Sequence, residues 1–244
     1  MNLLTPGETP HENAQFLLFL VAVIQAVDDY QDLLRLSVAT AGNDHRLGEN
    51  EAPPAVVSMF LGDELTAVLD AIEKDEPYSG VEKTVMKLGV HTLPRFIRDT
   101  TDRNRTSPFA FTGNKFEFRM LGSQASIACT NVYLNAIVAE ELDWVADQLQ
   151  GVAAKDLSQA VKDLVKKVYK EHKRIVFNGN GYTDEWVAEA EKRGLLNLKS
   201  TPEALAAMTA KKNVDLVVKH GIFTETEVAS RIEIQYELYN KTLN

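Results

Sequence analysis

The sequence predicts an α+β fold with a mixed first part, residues 1–150, and an all-helical last part, residues 151–244. In both parts, long regions place apolar residues at the spacing of amphipathic helices. Between these regions lies one clear strand signal, RTSPFAFTGNKFEFRML, in which phenylalanines alternate with other residues on both sides of a TGN turn. This pattern is typical of a short β-hairpin, so we expect strands in the first part only.

The composition is that of an ordinary globular protein with a core, because hydrophobic residues make up 45% of the 244 residues and charged residues 25%. The net charge of −9 argues against binding to nucleic acid or to an anionic membrane, since phosphate would be repelled. Cys129 is the one cysteine, so no disulfide can form within the chain. These features fit a cytoplasmic protein, and cytoplasmic localisation is our expectation.

Two helices are expected before the hairpin. The first begins at TPHE, residues 9–12, where a threonine N-cap, a proline and a glutamate form a capping box, and it continues to Gly42. Almost every face is apolar between Phe16 and Ile24, so this run should be buried, and it is too short to span a bilayer. The second helix is expected from Pro54 to Ile72.

Further helices are expected after the hairpin. Ser123 is expected to cap a long helix that ends at Gly151, and Cys129 inside this apolar helix is expected to be a core residue. Charged helical segments then follow to the end of the chain, one of them capped by Thr183 or Asp184.

The segment NDHRLGENEAPP, Asn43–Pro54, concentrates charge in a short stretch between two apolar regions. Arg46 could bind a substrate carboxylate, and Glu49 or Glu51 could serve as an acid, a base or a cation ligand. The alternative is a solvated connector whose exit is stiffened by two prolines.

Three charged residues are expected on one face of the second hairpin strand. Lys115, Glu117 and Arg119 alternate with two phenylalanines, which should point to the core. One interpretation is a solvated face with alternating charge, which is the commoner case. The other is a site in which the carboxylate holds a metal ion and the cations hold anions.

Arginines also cluster just before the hairpin, in an otherwise acidic chain: Arg95, Arg98, Arg103 and Arg105. Each alone is best explained as a surface residue. If the hairpin turns at TGN, however, Arg105 and Arg119 lie at the same end of the two strands. A carboxylate flanked by arginines suits a magnesium–phosphate site better than a site for metal alone.

Several other classes of site have no support in the sequence. The histidines are scattered, so no zinc pattern is present. The glycine-rich phosphate and dinucleotide motifs are absent, and so is the nucleophile motif of the α/β-hydrolases.

Two segments together resemble glutamine synthetase, and specifically its long bacterial type III form. They are AGNDHRLGENEAPP and DTTDRNRTSPFAFTGNKFEFRMLGSQASIACTNVYLNAI, and the resemblance is strongest from about Met1 to Leu149. It implies that residues 1–150 are the C-terminal half of the catalytic domain, built of antiparallel strands packed with long helices. Residues 151–244 would then be part of a helical extension.

The resemblance implies an ATP-dependent ligase that joins ammonia to glutamate through a γ-glutamyl phosphate, with Mg²⁺ or Mn²⁺ present. Glu117 matches a metal ligand of the family, and Arg119 matches an arginine that contacts glutamate and the transferred phosphoryl group. Arg46 matches the arginine that binds the substrate carboxylate. The ATP-binding residues would be Arg105, which is also catalytic, and Lys115, and the catalytic flap residue would be Glu51.

Some residues depart from the family pattern. Lys115 stands where many relatives have arginine, which keeps the charge but loses the planar fork. A further phosphate-binding arginine of shorter relatives has no counterpart, because Pro108–Phe111 occupy that stretch. The spacing from Arg46 to Glu51 is one residue shorter than in those relatives.

The family's remaining metal ligands and its small N-terminal domain are expected to precede this segment, so we expect an internal piece of a longer enzyme that is inactive alone. The resemblance also implies a homo-oligomeric ring. Two alternatives remain at this point. The chain could be a non-catalytic fragment that serves oligomer contacts or regulation, or part of a related ligase that joins an amine to another carboxylate.

Overall fold

The computed structural model describes residues 2–48, 52–78, 80, 85–86, 96–97 and 106–243. The described helices are α1 (Ala14–Asp29), α2 (Gln31–Leu36), α3 (Ala41–Arg46), α4 (Asp63–Lys74), α5 (Ala128–Leu149), α6 (Leu157–His172), α7 (Asp184–Lys192), α8 (Thr201–Leu205), α9 (Lys211–Lys219) and α10 (Glu225–Leu243). Short 3₁₀ helices cover Pro10–Glu12, Lys173–Ile175 and Ala206–Thr209. The described strands are β1 (Met59–Phe60), β2 (Val85–Met86), β3 (Phe96–Ile97), β4 (Phe109–Phe111) and β5 (Phe116–Phe118).

The predicted hairpin is confirmed. Strands β4 and β5 pair antiparallel, with Phe109 opposite Phe118 and Phe111 opposite Phe116. Gly113 adopts φ +96° in the turn, a conformation that favours glycine. The sheet is not wholly antiparallel, however, because β1 pairs with β4 in parallel. Strands β2 and β3 form a separate antiparallel pair.

The core is built around α1, which packs against α5 on one side and α6 on another. The predicted apolar run from Phe16 to Ile24 is buried except for Leu18 and Phe19, which are half-buried, and the burial continues to Asp28. A helix that is apolar on most faces must be covered on most sides, and α5 and α6 provide that cover. None of the described helices is long and apolar enough to cross a membrane.

The first predicted helix is divided in the structure. It breaks at Tyr30, which has φ −118° and ψ 27°, so α1 and α2 are separate helices. The predicted capping box is also wrong, because the Thr9 side chain makes no cap hydrogen bond. Asn13 caps α1 instead, since its Oδ1 accepts a hydrogen bond of 3.0 Å from the amide of Phe16.

The predicted helix from Pro54 to Ile72 is correct only in its second half. Residues 54–62 include β1 and no helix, and α4 begins at Asp63. Strand β1 is buried, and the residues from Val56 to Leu61 are all buried. A short apolar run of this kind is compatible with either a buried strand or a buried helix, so its periodicity misled the prediction.

The start of the long helix after the hairpin was also misplaced. Helix α5 begins at Ala128 rather than next to Ser123, and its first amide is bonded by Ser126 Oγ at 3.2 Å. Cys129 is exposed, so its prediction as a core residue is wrong. The cap predicted at Thr183 is confirmed, because its side chain accepts a hydrogen bond from the amide of Trp186.

Charged residues are buried where α1, α5 and α6 meet. The Asp28 carboxylate is 2% exposed and accepts two hydrogen bonds from Arg174 Nε, at 2.9 and 3.0 Å. The Nδ1 atom of His172 lies 2.9 Å from the same carboxylate. This carboxylate raises the pKa of His172 against the opposing effect of burial.

Glu141 of α5 gives this cluster a testable pH dependence. Burial raises the pKa of Glu141 to about 7, and the negative charge of Asp29 adds to the shift, whereas His172 opposes it. The folded state therefore holds this proton after the unfolded state has lost it, so this group makes stability fall as pH rises from 4.5 to about 7. We expect Glu141→Gln to remove that decline, and urea unfolding at several pH values would measure it. A stability difference between the two proteins that is independent of pH would contradict this expectation.

Candidate phosphoryl-transfer site

Arg46, Lys115, Glu117 and Arg119 lie in the described part of the chain. The last three lie on or next to β5, and Arg46 binds the backbone carbonyl of Met120, which directly follows them. Glu51 and Arg105 lie outside the described residues. The same holds for Glu49 and for the arginines at 95, 98 and 103.

The charged face of β5 is as the sequence predicts. Glu117 Oε2 accepts hydrogen bonds from Arg119 Nε and Nη2, at 3.2 and 3.0 Å. Lys115 Nζ lies 3.9 Å from the other oxygen of Glu117. Phe116 and Phe118 point away from these charges and pack against Phe109, with ring centroids 5.1 and 5.7 Å apart. The aromatic side of the hairpin thus anchors the strand while its charged side stays accessible.

Helix α3 brings Arg46 next to this strand. Thr40 caps the helix, because its Oγ1 accepts a hydrogen bond of 3.2 Å from the amide of Asn43. Arg46 donates from Nε to Asn43 Oδ1 at 2.9 Å and from Nη2 to the carbonyl of Met120 at 2.8 Å. Met120 directly follows Arg119 in the chain. Arg46 is therefore held against the chain directly after β5, although more than seventy positions separate it from Arg119 in the sequence.

Buried Asn43 fixes this arrangement. Its Nδ2 donates to the carbonyls of Val38 and Met120, at 2.8 and 2.9 Å, while its Oδ1 accepts from Arg46. Sequence reasoning missed Asn43 as a site residue. The only signal was its place at the start of the charged segment, since the bonds to Met120 depend on contacts distant in sequence.

The charged segment from Asn43 to Pro54 was predicted as a loop, and this is partly wrong because α3 extends to Arg46. The chain bends after α3 at Gly48. Gly48 has φ +80° and its amide donates to the carbonyl of Pro53 at 2.9 Å. This hydrogen bond brings positions 48 and 53 together, and residues 49–51 between them lie outside the described part of the chain.

A cavity of about 340 Å³ adjoins Arg46. It is lined by Thr40, Gly42, Asn43, Arg46 and residues 122–125. The lining includes the Arg46 cation and the polar side chains of Thr40, Asn43 and Ser123 next to apolar atoms, and a site of this kind can bind a small anionic ligand. A carboxylate in this cavity could receive paired hydrogen bonds from the guanidinium group.

The described residues provide only part of a divalent metal site. Among them, two groups of three residues place their possible ligand atoms within 4.8 Å of one another. The groups are Asp28, Asp29 and His172, and Glu140, Asp143 and His220. Glu117 belongs to neither group. It is a suitable oxygen ligand for Mg²⁺ or Mn²⁺, but such an ion would need further ligands from outside the described residues.

Comparison with known proteins finds a matching family model and several similar chains. The model of the glutamine synthetase C-terminal domain matches residues 160–244. The chain is 49% identical over its whole length to a glutamine synthetase of Butyrivibrio fibrisolvens, of which it covers 35%. The resemblance to glutamine synthetase is confirmed.

Two more glutamine synthetases show the same extent of similarity. A type-3 glutamine synthetase of Dictyostelium discoideum is 47% identical over 99% of the chain, and a glutamine synthetase of Bacteroides fragilis is 44% identical over 98% of it. The chain covers 33% and 34% of these two relatives. It therefore spans about a third of the length of the curated glutamine synthetases that it matches.

Proposed function

We propose that this chain supplies part of the active site of an ATP-dependent ligase that joins ammonia to glutamate through a γ-glutamyl phosphate. The observation that carries this proposal is the cluster formed by Arg46, Glu117 and Arg119 around the Met120 backbone. Glu117 pairs with Arg119 on β5, and Arg46 donates to the carbonyl of the residue that follows Arg119. Arg46 also lines a cavity that could hold an anionic ligand. The three named glutamine synthetases support the same assignment.

Each of these residues has a chemical role in the proposal. Arg46 would hold the carboxylate of the amino-acid substrate through its planar fork. Arg119 would stabilise negative charge on the transferred phosphoryl group, since phosphoryl transfer depends mainly on placed cations. Lys115 and Arg105 would bind the phosphates of ATP, and Glu51 would act in the flap.

Glu117 would be a ligand of a divalent cation, Mg²⁺ or Mn²⁺. Such an ion, when bound, would supply positive charge next to the phosphates of ATP. In this structure Arg119 neutralises the Glu117 carboxylate. In the proposed site, Glu117 would therefore bind the metal cation and Arg119 would bind the negatively charged phosphate next to it.

The proposal also includes the surroundings of the site. Residues 1–150 would form part of the catalytic domain, and residues 151–244 would form its helical extension. The active protein would be a cytoplasmic homo-oligomer, as the resemblance implies.

A chimera tests the proposal. In it, this chain replaces the matching segment of the Butyrivibrio fibrisolvens glutamine synthetase, to which it is 49% identical. We expect the chimera to form glutamine from glutamate, ammonia and ATP. A chimera that has the stability and the subunit number of the unaltered relative but forms no glutamine would overturn the proposal.

A further inference from the structure

Helix α3, which carries Arg46, is held from its other side by the region after α7. Arg35 of α2 donates from Nε to the carbonyl of Leu198 at 2.7 Å and from Nη2 to Asp44 Oδ1 at 2.7 Å. The second oxygen of Asp44 accepts a hydrogen bond of 2.5 Å from the amide of Thr201, at the start of α8. We call Arg35, Asp44 and the backbone of residues 198–201 the clamp.

The clamp is buried and charged, which makes it specific. The side chain of Arg35 is 1% exposed and that of Asp44 is 13% exposed. A guanidinium group at this depth needs a carboxylate and carbonyl acceptors around it, since an unpaired buried charge is strongly unfavourable. If Asp44 moved away, Arg35 would lose its carboxylate partner and keep only the carbonyls of Leu198 and Lys199, and the Thr201 amide would lose its acceptor. The contacts of Arg35, Asp44 and Thr201 therefore favour a single position of helix α3 relative to the residues after α7.

Three further hydrogen bonds hold α2 to the same part of the chain. Gln31 Oε1 accepts a hydrogen bond of 2.7 Å from the amide of Leu196. Asp32 accepts hydrogen bonds of 3.0 Å from Asn213 Nδ2 and from Lys212 Nζ. These partners lie after α7 and in α9, so the clamp is one part of a continuous interface between α2–α3 and the helices near the end of the chain.

Asp44 and Arg46 lie on the same short helix, and this links the clamp to the site. Helix α3 has only 6 residues, so it is too short to be stable by itself and depends on its contacts. One side of it is fixed by Asn43 and Arg46 on the Met120 carbonyl, and the other by Asp44 on Arg35 and Thr201. The position of the Arg46 guanidinium is thus set from both sides.

We propose that Arg35 and Asp44 are positioning residues, through which the region from residue 196 to α9 fixes Arg46 for the carboxylate of the amino-acid substrate. The inference rests on the proposed function for the identity of that substrate. It assigns to the last third of the chain a specific role in substrate binding. Loosening the clamp should weaken binding of the amino acid without affecting the binding of ATP, which would be held by other residues.

The first test concerns the structural link and needs no activity. Asp44→Asn keeps the shape of the side chain but places an amide donor against Arg35 or against the Thr201 amide. The backbone amides of residues 44 and 47 donate to the carbonyls of Thr40 and Asn43. In this variant we expect both amides to exchange hydrogen about tenfold faster, which corresponds to the loss of one hydrogen bond to a charged group. Amides in the middle of α1 should be unaffected.

A matched pair of variants at Thr201 separates the clamp from general damage. Thr201→Pro removes the donated amide hydrogen and replaces the buried threonine side chain with the proline ring. Proline suits this first helical position because Ser200 before it is already extended, with φ −115° and ψ 154°. Thr201→Ser keeps the amide hydrogen. We expect the amides of α3 to exchange hydrogen faster in the proline variant than in the unsubstituted chain. In the serine variant we expect their exchange rates to be unchanged. Equal protection of α3 in Thr201→Pro, Asp44→Asn and the unsubstituted chain would overturn the inference.

The second test uses the chimera. Asp44→Asn and Thr201→Pro are expected to raise the KM for glutamate on the order of tenfold, since small misplacements of a binding group are costly, and to leave the KM for ATP unchanged. Thr201→Ser should change neither. If the KM for glutamate and the KM for ATP rose by the same factor, the result would contradict the inference that the clamp positions Arg46 for the amino acid. If the unsubstituted chimera has the stability and subunit number of the unaltered relative but is inactive, the proposed function fails. The exchange result still decides whether the clamp holds α3.

Discussion

Replacement of Glu117 by glutamine is expected to lower the rate of glutamine formation by the chimera at least about 100-fold. Mutation of a residue that only hydrogen-bonds to a metal ligand typically lowers metal affinity or activity about 10–100-fold. Loss of the ligand itself should lower activity at least as much. The change should leave the fold intact, because the Glu117 side chain is 41% exposed. Strand β5 stays anchored by Phe116 and Phe118, which pack against Phe109. The assay is the initial rate at saturating Mg²⁺.

Glu189 provides the control for this variant. It is also a glutamate that pairs with an arginine, Arg193, at 2.9 Å, and its side chain is 44% exposed. Glu189→Gln should leave the rate unchanged because it lies outside the cluster around Met120. Equal rates for the Glu117 and Glu189 variants would show that Glu117 is not a ligand.

Asp44→Ala is expected to lower the free energy of unfolding of the chain by about 3–5 kcal/mol. The reason is that Arg35 would keep its charge at 1% exposure with no carboxylate next to it. Urea unfolding, followed by circular dichroism, would measure the loss. Part of it should return in the double variant Arg35→Met with Asp44→Ala, since removing both charges avoids the unpaired buried cation.

The matched control for this prediction is Asp215→Ala. Asp215 also pairs with a basic residue, Lys211, but the two side chains are 59% and 87% exposed. Exposed pairs of this kind contribute little, so the expected change is within about 0.5 kcal/mol. If Asp44→Ala and Asp215→Ala had the same small effect, the clamp would not be a significant source of stability.

The hairpin and its charged face were predictable because both depend on local patterns. Phenylalanines that alternate around a glycine turn specify strand pairing, and the same alternation puts Lys115, Glu117 and Arg119 on one side. The burial of α1 was predictable for a similar reason, since its apolar residues leave no polar face.

The remaining features depend on contacts between distant parts of the chain. Residues 56–61 form an extended, buried segment because β1 pairs with β4, and nothing in their own pattern excludes a helix. The bond from Arg46 to Met120 and the bond from Arg35 to Leu198 each join positions far apart in sequence. Hydrophobic periodicity carries no information about such polar contacts, so Asn43, Arg35 and Asp44 were not identified from the sequence.

Glutamine formation by the chimera, measured with glutamate, ammonia, ATP and the divalent cation each omitted in turn, tests most directly whether this chain supplies part of a glutamine-forming site. We expect glutamine only in the complete mixture, with one ADP and one phosphate released for each glutamine formed. A stable chimera with the subunit number of the unaltered relative would contradict the assignment if it released ADP without forming glutamine, or if it formed neither product.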